Sequence, residues 1–121
     1  MPSILIVDDE PSIQFTFKHI FLAYGFEIAG IANNGEEAIG LFKSFVNKPD
    51  IILMDHRIPI KNGLEATKEI LQLDSHTKII FKSADSSIKN EALSLGAVSF
   101  QDKPFKIEKM IEEIHKALKQ R

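Results

Sequence analysis

The chain contains no cysteine, which excludes disulfide scaffolds, thiolate metal sites and cysteine nucleophiles together. It has no large excess of charge. The 15 basic side chains against 17 acidic ones leave a formal net charge of -2, whereas a nucleic-acid-binding domain normally carries a strong basic excess. It has no long hydrophobic run either. The N-terminal MPSILIVDDE turns acidic after a few apolar residues, too soon for a signal peptide or a membrane span. A cytoplasmic protein is therefore expected, one that meets neither membrane nor nucleic acid directly. No linker, low-complexity stretch or internal repeat breaks the 121 residues, so residues 1–121 read as one domain. The four histidines, His19, His56, His76 and His115, lack i, i+4 pairing, and none reads as a metal ligand.

What the chain does have is alternation. Short apolar runs of strand length occur at Ile4 to Val7, Ile28 to Ala32, Ile51 to Met54, Ile79 to Phe81 and Val98 to Phe100. Between them, apolar residues recur at i, i+3/i+4 and i+7, the stripe of a helix lying on a sheet. Ile13, Phe17, Ile20 and Tyr24 mark the first helix, and Ala38, Leu41, Phe42 and Phe45 the second. Leu64 to Leu73 is a less regular third; Ile88, Ala92 and Leu95 mark the fourth, and Ile107, Ile111, Ile114 and Leu118 the last. Pro11 suits a first helical turn, Gly25 and Gly96 suit left-handed C-caps, and Pro49 with Asp50 is expected to stop the second helix. Strict alternation predicts an α/β fold with a parallel sheet covered on both faces. Five such units at this length predict the flavodoxin-like (βα)5 order 2-1-3-4-5.

Ligands of such sheets bind beyond the carboxyl ends of the strands, where strand order reverses. Asp8-Asp9-Glu10 follows the first run, Asp55-His56-Arg57 the third, Ser83-Ala84-Asp85 the fourth and Asp102-Lys103-Pro104 the fifth. Asp8, Asp9, Asp55 and Ser83 should thus converge, with Lys103 at the edge. Clustered carboxylates repel one another unless a cation lies between them, and an all-oxygen, partly hydrated site suits Mg²⁺ (or Mn²⁺). A serine hydroxyl and a lysine ammonium supply donors for a phosphoryl group, whose transfer mainly needs positioning and charge neutralisation. The residues alone therefore predict Mg²⁺-assisted phosphoryl transfer to or near Asp55.

The segments ILIVDDEPSI, IILMDHRIPIKNGLEA, FKSAD and GAVSFQDKPF resemble, in order, the signature blocks of response-regulator receiver domains, from about Ser3 to the end of the chain. The resemblance implies that Asp55 accepts a phosphoryl group from a sensor histidine kinase or phosphotransfer protein. It implies that Asp9 ligates the metal directly, Asp8 assists through water and the Arg57 backbone carbonyl is a further ligand. Ser83 matches the switch hydroxyl, Phe100 the switch aromatic and Lys103 the phosphate-binding lysine, with Lys103–Pro104 expected in cis. It further implies a downstream effector that meets the face of the fourth helix, fifth strand and fifth helix, and a monomer or weak homodimer. The amphipathic run Lys106 to Arg121 would form part of that face or simply pack on the core. The loop has Lys61-Asn62 where an acidic residue commonly precedes the glycine. Arg57 and Asp85 are expected to oppose each other across the cleft mouth as a gate that excludes water; alternatively, Arg57 swings inward and occupies the phosphate site in the resting state.

Each motif has a plainer reading. The acidic triplet suits any helix N-terminus, Ser83 to Ser87 suits a capping loop, and Phe100 suits a core position. A small Mg²⁺-dependent phosphatase would want a second acid two residues beyond Asp55, where Arg57 stands. A flavodoxin-type cofactor binder would want a Ser/Thr/Gly-rich loop after the first strand, where this chain has acids. A pseudo-receiver that binds partners without phosphorylation would not need the full acid set. The chain is thus expected to be a signalling switch that catalyses only its own phosphorylation and dephosphorylation.

Overall fold

A computed structural model of the chain describes residues 1–104 and 106–119. The last residue of the fourth signature block, Phe105, and the end of the amphipathic run, Gln120 and Arg121, lie outside the described residues. The elements alternate throughout: β1 (Ser3–Val7), α1 (Pro11–Ala23), β2 (Glu27–Ala32), α2 (Gly35–Ser44), β3 (Ile51–Asp55), α3 (Gly63–Leu73), β4 (Lys78–Ser83), α4 (Lys89–Leu95), β5 (Ser99–Asp102) and α5 (Ile107–Lys119). A 3₁₀ turn, Ser86–Ile88, leads into α4. The strands pair in parallel, as the alternation predicts, and in the flavodoxin-like order expected, β2-β1-β3-β4-β5.

Strand alternation divides the core into two apolar layers, one on each face of the sheet. Leu5, Val7, Ile52, Met54, Ile79 and Phe81 pack with residues of α2, α3 and α4. Ile4, Ile6, Ile51, Leu53 and Ile80 pack with Phe17 and Phe21 of α1 and with Met110, Ile111 and Ile114 of α5. β1 and β3 lie centrally and are buried almost throughout, which explains their unbroken apolar runs.

Most of the expected punctuation holds. Pro11 begins α1. Gly25 and Gly96 have φ of 87° and 119°, and Gly96 is the C-cap of α4. One boundary differs from expectation. α2 ends at Ser44 rather than at Pro49, because Phe45 turns extended (φ -68°, ψ 126°) and packs against the core. Lys48 then closes the helix end by donating from Nζ to the Phe42 carbonyl. Asp50, freed from that role, accepts from the Ser3 N–H at 2.8 Å and ties the start of β1 to the start of β3.

The loop between β3 and α3 is held tightly. Asn62 and Glu65 form a reciprocal capping box at the start of α3. Gly63 then passes so close to β3 that an added Cβ would lie 2.3 Å from the Asp55 carbonyl oxygen. Gly63→Ala is therefore expected to push the loop off the strand end and cost about 2 kcal/mol or more of stability, read as a lowered urea midpoint. Wild-type stability would show that the loop is free to move.

Candidate functional site

The carboxyl ends of β1, β3 and β4 meet at one edge of the sheet. In the β3–β4 register Asp55 sits opposite Lys82, and β1 pairs beside β3 up to Val7 and Met54. The residues that leave these ends therefore share one pocket. Asp8 and Asp55 are buried and Asp9 is exposed. One carboxylate oxygen from each lies within 4.8 Å of the others. Asp8 Oδ1 also accepts from the Glu10 N–H at 2.9 Å, which bends the chain into α1.

Two ammonium groups meet these acids. Lys103 Nζ lies 3.1 Å from Asp55 Oδ1, and the Lys103–Pro104 peptide bond is cis. The second cation, Lys82, is a site residue that motif reading misses. Its side chain is 1% exposed and donates to Asp8 Oδ2, with Asp55 Oδ2 at 3.6 Å and the Phe17 ring centroid 5.3 Å from Nζ. The signal was present in sequence: a lysine continuing an apolar strand buried on both faces must find a carboxylate. Asp55 Oδ1 additionally accepts from the His56 N–H at 2.9 Å.

Ser83, 1% exposed, directs its Oγ to the Asp85 N–H, from which it accepts at 3.0 Å. Phe100, 8% exposed, stacks on Phe81 with ring centroids 6.0 Å apart. Arg57 is exposed, and its carbonyl accepts no hydrogen bond among the described residues; the neighbouring His56 carbonyl accepts from Ile58 and Gly63. Arg57 and Asp85 form no ion pair among the described residues. Asp85 instead accepts from the hydroxyl and the backbone N–H of Ser87. These bonds hold its carboxyl below the ordinary carboxylate range, against a smaller opposing effect of burial and with a lesser contribution from the Arg57 charge. Lys61 pairs with Glu69 and, at 3.6 Å, with Glu36, tying the β3–α3 loop to two helices.

The donors are hard carboxylate oxygens around one point, which suits Mg²⁺. The same pocket offers a carboxylate nucleophile flanked by ammonium groups, the requirements of phosphoryl transfer.

A model of the response regulator receiver domain matches residues 4–115. The chain belongs to that family. The receiver is 40% identical over 118 residues to the chemotaxis protein CheY of Thermotoga maritima, covering 96% of this chain and 97% of the relative. Two solved structures extend the likeness. CheY of Borrelia burgdorferi, in a complex with CheX, BeF₃ and Mg²⁺, superposes with TM-score 0.93 at 27% identity, over 98% of this chain and 90% of that one. The response regulator TrrA of Thermotoga maritima, in complex with Mg²⁺-BeF, gives 0.87 at 34% identity, over 97% and 99%. The receiver is accordingly a signalling protein of the two-component response-regulator type rather than a conventional enzyme. No helix among its described residues is long and apolar enough to cross a membrane.

The buried Asp8–Lys82 pair generates a stability prediction. Asp8→Asn is expected to leave the Lys82 ammonium poorly compensated and to cost about 3 kcal/mol or more, measured by urea unfolding without divalent ions. Asp9→Asn, at an exposed position, should stay within about 0.5 kcal/mol of wild type. Equal effects of the two substitutions would remove the distinction.

Proposed function

We propose that the receiver accepts a phosphoryl group on Asp55 from phosphohistidine of a kinase or phosphotransfer protein and thereby alters a partner-binding face. The observation that carries this reading is the acceptor carboxylate itself: Asp55 is buried at the sheet edge with Asp8 and Asp9 on one side and Lys103 on the other. Mg²⁺ would be held by Asp9, Asp55 and the Arg57 carbonyl, with Asp8 assisting, and when bound it would supply neutralisation of the phosphoryl oxygens. The relatives crystallised with Mg²⁺ and a beryllium fluoride support that assignment.

The chain's own groups account for the rest. The Asp55 carboxylate forms the new O–P bond as the N–P bond of the donor breaks, and the departing imidazole keeps the bonding pair. Lys103, already at Asp55 Oδ1, is placed to follow the charge onto the phosphoryl group. Ser83 would exchange its bond from the Asp85 N–H for one to a phosphoryl oxygen. The new charge of about −1.5 to −2 shifts the population between two arrangements of this edge. Phe100 lies on β5, beneath the α4–β5–α5 face, where the change would reach an effector. The site works in the cytoplasm on this reading, in a monomer or a weak homodimer.

Incubation with acetyl phosphate and Mg²⁺ should add one phosphate by mass spectrometry, and none to Asp55→Asn; an adduct that survives the substitution would place the acceptor elsewhere. If the two groups close over the cleft mouth only in the phosphorylated state, Arg57→Asn and Asp85→Ala should then lose the group faster, by up to about fivefold, the size a partly exposed charge pair can contribute. Unchanged decay in both would dispose of the gate.

A further inference from the structure

The pocket contains a cation that the transfer scheme leaves without a task. Lys82 reaches it from the α1/α5 side of the sheet, where its neighbour on the strand, Ile80, packs in the apolar layer. Its ammonium engages two of the three carboxylates that could hold a metal, Asp8 and Asp55. It is nearly inaccessible to solvent, so water screens it little. Lys103, by contrast, is 36% exposed and can swing. Beside Lys82 a cleft of about 420 Å³ opens between α1 and the strand ends, lined by Asp8, Ile13, Phe17, Lys82, Lys103 and Pro104.

We propose that Lys82 is a resident counter-cation of the acidic pocket that weakens its affinity for divalent ions. The inference rests on the ion-binding reading above. In a pocket of bare carboxylates, mutual repulsion drives a divalent ion in. Here that repulsion is already partly relieved, and an incoming ion must share Asp8 and Asp55 with an ammonium of like charge. Burial keeps this antagonism strong, since charges a few ångströms apart interact more as the surroundings become less polar. Lys82 either stays and repels the ion or withdraws toward the cleft by Phe17. In both cases loading the pocket costs more than in its absence.

The test is calorimetric titration of the full chain with MgCl₂, with the rise of the melting temperature on adding MgCl₂ as a second readout that needs no phosphorylation. Lys82→Met keeps the stem and removes the charge, and should bind Mg²⁺ at least about tenfold more tightly than wild type, a conservative figure for a unit charge at this range. Lys82→Arg keeps the charge and should bind no more tightly than wild type. If Lys82→Met does not fold, Lys82→Gln takes its place with the same expectation. Binding by wild type and the neutral variant with equal affinity, or weaker binding by the neutral variant, would overturn the role of Lys82 and leave the metal reading intact. Mg²⁺ binding by none of the chains would overturn both.

Discussion

Everything at the functional edge depends on carboxylates from β1 and β3 being held close together where water can do little to separate them. Asp8 and Asp55 are buried, and the parallel register of β1 and β3 brings them out side by side. Such a cluster persists only where cations are built in beside it. The structure provides two: Lys103 from the end of β5, partly in solvent, and Lys82 from within β4, sealed beneath the pocket. The first lies at Asp55 Oδ1, the oxygen on which the proposed transfer would act. The second is enclosed within the fold against Asp8 and Asp55.

This division explains why part of the site could be read from sequence and part could not. The parallel sheet was legible because five short apolar runs alternate with helical stripes, and such a sheet buries both kinds of surface; its order 2-1-3-4-5 drew its support from the resemblance to receiver domains. Asp8, Asp9, Asp55 and Lys103 were legible because each stands just past such a run, where any α/β sheet presents its ligand-binding groups. Lys82 was hidden by its position. The apolar run of β4 ends at Phe81 when only hydrophobicity is counted, yet the strand continues to Ser83. The lysine faces the apolar layer beside Ile80 along its stem and ends on a carboxylate, an amphipathic use that composition does not reveal.

Two other features lay beyond pattern reading for the same reason: they depend on competition between partners. Asp85 carries the charge that suggested a pairing with Arg57, but a hydroxyl and a backbone N–H two residues away are nearer and need no long side chain to be ordered. The end of α2 was placed at the visible proline, whereas Phe45 leaves the helix earlier to reach the core. In each case sequence shows the candidates, and distance chooses among them.

The three consecutive residues that close β4 face three different surroundings. Phe81 turns to the α2/α3/α4 side and stacks on Phe100; Lys82 turns to the opposite side and meets Asp8 and Asp55; Ser83 bonds the loop that leads to α4. The pleat fixes the side of the sheet from which each of these side chains starts, so three neighbouring residues reach three different environments from one strand end. On the proposed reading, a change of charge at Asp55 would act first on the buried Lys82 ammonium 3.6 Å away, with Ser83 and the Phe81–Phe100 stack next to it along the same strand. The strand end that meets the acidic pocket is thus also the one that stacks on β5.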